Sequence, residues 1–131
     1  MSEKLKHVLL VDDDEANNFY NTIILKQHNP SIKVESLLNG EELISYMTNS
    51  DNKKWPITVF LDLNMHIING TEFLEWYHKN GHQGKLKIII FSASLLPQDL
   101  DRCMKYEDVL RYFEKPIDDS KLNEIMSLIN A

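Results

Sequence analysis

A doubly wound α/β domain is what this sequence predicts, on three observations. Short runs rich in β-branched residues recur along the chain, stretches with apolar residues three and four apart separate them, and no long linker, internal repeat or low-complexity segment breaks the alternation. Strands that alternate with helices form a parallel sheet whose right-handed crossovers cover both faces. The size agrees, because 131 residues with 43% hydrophobic side chains suffice for one buried core, so residues 1–131 read as a single domain.

Taken in order, Val8-Leu9-Leu10-Val11 is a first strand, apolar at every position as a strand buried on both faces should be. The helix after it carries Phe19, Tyr20, Ile23, Ile24 and Gln27 at helical spacing, which predicts the side that packs on the sheet. Ile32-Lys33-Val34-Glu35-Ser36-Leu37 begins with strict alternation and suits an outer strand; Leu43, Ile44 and Met47 mark the next helix. Ile57-Thr58-Val59-Phe60-Leu61 is a third strand, followed by a helix with Phe73, Leu74 and Tyr77 on one side, and Leu86-Lys87-Ile88-Ile89-Ile90-Phe91 is a fourth. Pro97 fits the first turn of a fourth helix, running to about Tyr106, whose Leu100, Cys103 and Met104 make it the least apolar of the set. Val109-Leu110-Arg111-Tyr112-Phe113 is mixed, as an outer strand, and Asp118-Asp119-Ser120 caps a last helix with the stripe Leu122, Ile125, Met126 and Ile129. Asn80-Gly81-His82-Gln83-Gly84 reads as a turn, and Trp55 and Trp76 as packing aromatics. Five such units favour the flavodoxin-like strand order 2-1-3-4-5 in a three-layer α/β/α arrangement. Any site then lies at the carboxyl ends of strands 1 and 3, where the order reverses.

A formal net charge of −6 without a cluster of Lys and Arg argues against a nucleic-acid or anionic-membrane surface, since both require basic groups to displace counterions. Proteins or small molecules are the expected partners. The single cysteine, Cys103, forms no internal disulfide, and the apolar run after Met1-Ser2-Glu3-Lys4-Leu5-Lys6 is too short for a leader or a membrane span. A cytoplasmic protein is expected. The five histidines lack the spacing of a transition-metal site, and no glycine-lysine phosphate loop occurs.

The strand ends carry the chemistry. Strand 1 ends in Asp12-Asp13-Asp14, strand 3 in Asp62, strand 4 in Ser92, and strand 5 leads to Lys115-Pro116, all on one edge of the predicted sheet. Carboxylates converging in a partly buried pocket repel one another unless a cation intervenes. Mg²⁺ suits them, because it takes hard oxygen ligands and keeps waters that a phosphoryl group can replace. An aspartate triplet can equally cap a helix, so Asp62 is the sharper signal: it directly follows an apolar run, where an ionised residue belongs only at a strand's mouth. A carboxylate there can attack phosphorus to give an aspartyl phosphate, whose added charge Mg²⁺ and Lys115 offset while the Ser92 hydroxyl donates to a phosphoryl oxygen.

Together, Val8-Leu9-Leu10-Val11-Asp12-Asp13-Asp14-Glu15, Phe60-Leu61-Asp62-Leu63-Asn64-Met65 with Gly70, Phe91-Ser92-Ala93 and Tyr112-Phe113-Glu114-Lys115-Pro116 resemble a response-regulator receiver domain of two-component signalling, CheY-like, over nearly the whole chain. The resemblance implies Asp62 as phosphoacceptor, Asp13 as direct Mg²⁺ ligand, Asp12 acting through water, and the Asn64 backbone carbonyl completing the protein's ligands. It implies Ser92 as switch hydroxyl, Lys115 as partner of the phosphoryl group, Tyr112 as the aromatic that turns inward, and a cis bond at Lys115-Pro116. The implied partners are a histidine kinase or histidine phosphotransfer protein as donor and a downstream protein target. That target would meet the surface of helix 4, strand 5 and helix 5, without a separate output domain, in a monomer or weak dimer. Asn64 and Ser94 match positions that tune the lifetime of the phosphorylated form.

Three places depart from the family pattern. His66 stands where a proline usually follows the methionine, which predicts a less rigid loop. Asp108-Val109 replaces the usual Gly-Ala before the tyrosine, and helix 4 is poor in small residues. Two other functions compete. A small Mg²⁺-dependent phosphatase using Asp62 would need a general acid two residues on, where Asn64 stands, and a cap domain. A receiver-like binding module that takes no phosphate is opposed by the intact set Asp13, Asp62, Ser92 and Lys115.

Overall fold

The computed structural model describes residues 5–49, 54–93 and 96–130. The N-terminal Met1-Ser2-Glu3-Lys4 segment and Ser94 lie outside the described residues. Ten elements alternate: β1 (His7–Val11), α1 (Glu15–His28), β2 (Lys33–Leu37), α2 (Gly40–Thr48), β3 (Ile57–Leu61), α3 (Gly70–Lys79), β4 (Leu86–Ser92), α4 (Pro97–Met104), β5 (Val109–Glu114) and α5 (Asp119–Asn130). The strands form one parallel sheet in the order β2-β1-β3-β4-β5. Among the described residues no helix is long and apolar enough to cross a membrane.

Alternation along the central strands divides the core in two. Leu9, Val11, Val59, Leu61, Ile88 and Ile90 face α2, α3 and α4, whose Leu43, Met47, Phe73, Leu74, Tyr77 and Cys103 cover them. Leu10, Phe60, Ile89, Phe91 and Phe113 face the other way, onto Leu25 of α1 and Leu122, Ile125 and Ile129 of α5. β3 is buried at every position, as its unbroken apolar run predicts. Trp55 and Trp76 pack, half-buried, against the first of these clusters. α4 is shorter than its pattern suggests, ending at Met104 with Lys105 as C-cap.

One helix face is corrected. Phe19, Tyr20 and Ile23 do not pack on the sheet; they are 69%, 44% and 40% exposed. The buried residues of α1 are Asn18, Asn21 and Leu25. The phase is set at the helix start, where Asn18 Nδ2 donates to the Asp12 carbonyl at 2.9 Å and so turns inward. That contact satisfies the Asn18 amide nitrogen, while among the described residues the buried Oδ1 atoms of Asn18 and Asn21 have no hydrogen-bond partner. The spacing of three and four is present on both sides of α1, so periodicity alone picks the wrong one.

The mixed pattern of β5 also has a cause. Its register against β4 shifts between Ile88 and Ile89, so that Val109 opposes Ile88 and Arg111 opposes Ile89. This bulge breaks strict alternation and leaves Val109 and Phe113 as the buried residues of the strand. Ahead of it, Asp108 does what a Gly-Ala pair cannot. Its Oδ2 accepts from the Tyr77 hydroxyl and, at 2.7 Å, from the Gly84 N–H, while the same hydroxyl accepts from the Leu86 N–H at 3.0 Å. The α4–β5 turn is thereby tied to α3 and to the α3–β4 turn.

Candidate functional site

Val11 stands opposite Leu61 in the β1–β3 ladder, so the residues that follow leave the sheet side by side. The β1–β3 ladder runs one residue further at Asp62, whose N–H donates to the Val11 carbonyl, and the β1–β2 ladder one further at Asp12, whose N–H donates to the Leu37 carbonyl, each at 3.0 Å. Asp12 and Asp62 are both only 5% exposed. Together with Asp13 they offer carboxylate oxygens that all lie within 4.8 Å of one another.

Each member of the aspartate triplet has a separate place. Asp14 is the N-cap of α1, its side chain accepting from the Asn17 N–H. Asp12 turns into the pocket, where its Oδ1 accepts from the Asp14 N–H at 2.9 Å and its Oδ2 from Asn17 Nδ2 at 2.8 Å. The Asp13 side chain is 30% exposed and its Oδ2 lies 2.8 Å from His66 Nδ1, with the His66 N–H at 3.3 Å. The hydrogen bond from His66 outweighs desolvation and holds the Asp13 carboxyl below its ordinary range. The His66 side chain, though 93% exposed, is thus tethered to the pocket.

Lys115 is the counter-charge. Its Nζ lies 2.6 Å from Asp12 Oδ2 and 3.3 Å from Asp62 Oδ2. Burial opposes its charge, but the hydrogen bond to Asp12 and the charges of Asp62 and Asp12 prevail and raise its pKa. The backbone that presents it is bound to β4 through Lys115 N–H on the Ser92 carbonyl at 2.9 Å, and the Lys115-Pro116 bond is cis, as expected. Burial pushes Asp62 up to about 6; the Asn64 N–H and Lys115 pull it down and the Asp12 charge adds to the rise. One ammonium does not neutralise three carboxylates, and such an all-oxygen set, incompletely compensated, fits a hard divalent cation.

Ser92 is fully buried and its Oγ accepts from Asn64 Nδ2 at 3.0 Å, while the Asn64 N–H donates to Asp62 Oδ1 at 3.1 Å. Asn64 therefore links the Asp62 carboxylate to Ser92. Tyr112 is not part of this cluster. It lies opposite Ile90, two places before Ser92 in register and on the same side of the sheet, and is 37% exposed. Gly70 closes the loop after β3: a Cβ there would meet Leu63 Cδ2 at 2.7 Å and the Asp62 carbonyl oxygen at 2.8 Å. Within that loop Ile67 takes φ 69°, a left-handed conformation that a β-branched residue adopts only under strain.

The grouping of Asp12, Asp13, Asp62, Asn64, Ser92 and Lys115 is the one the sequence pattern anticipates. Sequence reasoning missed Asn17 and Asn18. The signal was available: Asn17 is the third residue of α1, and helical side chains lean back toward the N-terminus, here toward Asp12.

A family model for the response regulator receiver domain matches residues 8–127. No curated protein matches the chain. Among solved structures, a two-component response regulator from Cytophaga hutchinsonii is 28% identical, with TM-score 0.85 over 98% of this chain and 99% of the other. CheY in a CheX-CheY-BeF3-Mg complex from Borrelia burgdorferi is 25% identical, with TM-score 0.76 over 94% and 88%. A CheY-like receiver protein from Methanospirillum hungatei JF-1, 23% identical with TM-score 0.78 over 96% and 94%, shares the fold.

Proposed function

This chain belongs to the response regulator receiver family, whose members are regulatory domains in phosphorylation-based two-component signalling, and from that premise we propose that Asp62 is its phosphoacceptor. The observation that carries the reading is the Lys115 ammonium lying against both Asp12 and Asp62 within a group of three carboxylates. The donor in this reading is a phosphohistidine on a histidine kinase or histidine phosphotransfer protein. An Asp62 oxygen attacks phosphorus, the P–O bond forms as the P–N bond breaks, and the electron pair leaves on the imidazole nitrogen. Mg²⁺ held by Asp13, Asp62 and the Asn64 carbonyl, with Asp12 acting through water, supplies charge compensation when bound. Lys115 transfers its contact to the phosphoryl oxygens, and Ser92 gives up the Asn64 amide to donate to another. Movement of Ser92 frees space that the Tyr112 ring, on the same side of the sheet, turns in to fill; this remodels the α4-β5-α5 surface for a downstream protein. A cytoplasmic location, one functional unit over residues 1–131 and a monomeric or weakly dimeric state belong to the same reading.

A donor histidine that reaches Asp62 must cover the rim of the pocket. The exposed Phe19, Tyr20 and Ile23 begin one helical turn beyond that rim and Ile67 adjoins it, which suits them to the apolar centre of the donor's footprint. The test is the mass of the protein after incubation with Mg²⁺ and acetyl phosphate. One phosphoryl group per chain, absent in Asp62→Asn, is expected. Turnover of a phosphate ester would favour a phosphatase, and no adduct with no Mg²⁺ affinity a binding module. In Phe19→Ser, phosphorylation by acetyl phosphate is unchanged while transfer from a protein donor slows.

A further inference from the structure

We propose that Asn17, supported by Asn18, is a positioning residue that holds Asp12 while Lys115 changes partner, an inference that rests on the phosphoacceptor reading above. The motive observation is a shared oxygen. Asp12 Oδ2 lies 2.6 Å from Lys115 Nζ and accepts from Asn17 Nδ2 at 2.8 Å, whereas Asp62 Oδ2 is 3.3 Å from the same ammonium. Before reaction the cation thus sits closer to the carboxylate that does not react.

Phosphorylation of Asp62 adds negative charge and strong acceptor oxygens beside Lys115, and draws the ammonium toward them. Asp12 would then be a carboxylate 5% exposed with its cation leaving. Among the described residues two donors to that carboxylate remain that do not follow the charge, and a third holds its main chain. Asn17 Nδ2 holds Oδ2, the Asp14 N–H holds Oδ1 at 2.9 Å, and Asn18 Nδ2 holds the Asp12 main-chain carbonyl at 2.9 Å. All come from the first turn of α1 or the residue before it, and α1 is anchored there by its Asp14 cap.

The amide is the side chain this place needs. A lysine or arginine at residue 17 would neutralise Asp12 and compete with a divalent cation for the pocket. An acid would repel the cluster, and an apolar residue would leave the buried oxygen with Lys115 as its only side-chain donor among the described residues, tightening that pair and slowing its release. Asn17 therefore lowers the hold of Asp12 on Lys115 and keeps the carboxylate aimed at the cation position.

The variants are Asn17→Leu, which removes the donor at similar size, and Asn17→Gln, which keeps an amide. Each is titrated with Mg²⁺ by calorimetry without any phosphodonor, and then phosphorylated with acetyl phosphate at saturating Mg²⁺. Asn17→Leu should bind Mg²⁺ about tenfold more weakly, the scale of one hydrogen bond to a charged group, and phosphorylate more slowly even when saturated. Asn17→Gln should recover most of both, which a purely structural role does not require. Wild-type affinity and rate in Asn17→Leu, or no recovery in Asn17→Gln, overturns the proposal. Should Asn17→Leu fail to fold, Asn17→Ser, with a hydroxyl too short to span the 2.8 Å contact, is read by the same criteria. An absence of adduct on the wild-type protein overturns the phosphoacceptor reading and with it the exchange of Lys115, whereas a normal wild-type adduct with unaltered Mg²⁺ affinity and rate in Asn17→Leu overturns the role of Asn17 alone.

Discussion

Asp62→Asn should stabilise the metal-free protein, and by an amount that grows with pH. The Asp62 carboxyl is 5% exposed, and burial moves its pKa from 3.8 to about 6. Well below pH 3.8 the group is neutral in both folded and unfolded chains, and the shift costs no stability there. As pH rises toward and through 6 the unfolded chain has already ionised this carboxyl, while the folded chain must ionise it at a loss. At about 1.4 kcal/mol per tenfold in proton affinity, the stability lost by neutral pH is about 3 kcal/mol. Asparagine has nearly the same shape and never ionises. The stability difference between Asp62→Asn and wild type should therefore increase by about 2 kcal/mol between pH 4.5 and 7.5, the unfolded chain being already largely ionised at the lower end. For a chain of this size that corresponds to roughly 6–10 °C in Tm. Urea unfolding in EDTA at a series of pH values measures it, with the static effect of the substitution cancelling because only the change with pH is read. Saturating Mg²⁺ should shrink the increase, since a bound cation favours the ionised carboxylate. A difference that stays flat with pH, or falls, would refute the argument that burial dominates this carboxyl.

Two further changes probe the frame around the site. Gly70→Ala places a methyl group within 2.8 Å of the Asp62 carbonyl and the Leu63 Cα, backbone atoms that cannot yield cheaply; it should cost about 1–3 kcal/mol in a urea titration and slow phosphorylation of Asp62. Tyr77→Phe strips Asp108 of one donor and the Leu86 N–H of its acceptor, so a loss of about 2 kcal/mol is expected, with faster hydrogen exchange at the Gly84 and Leu86 amides. Unchanged exchange at those two amides would show that Asp108 does not tie the turn before β5.

Element types, their order and the placement of the acidic residues at strand ends were set by the sequence, because each depends on a local period or on a residue's place relative to an apolar run. β1, β3 and β4 are fully legible for that reason, as is the α5 stripe of Leu122, Ile125 and Ile129. What depends on two distant segments meeting could not be read locally. The spacing on α1 permits either face, and the inward one was chosen by the Asp12 carbonyl acting on Asn18. Which aspartates meet in the pocket was decided when β1 came to lie against β3, whereas the Asp14 cap on the Asn17 N–H is a local contact. The bulge in β5 and the tie from Asp108 to Tyr77 arise from pairing across many residues of chain. The pairing of Lys115 with Asp12 rather than equally with Asp62 is the last such choice. A chain encodes secondary structure through neighbours three or four places away. The phase of a helix and the partner of a buried charge follow instead from satisfying polar groups that only the folded sheet brings within 3 Å or so of one another.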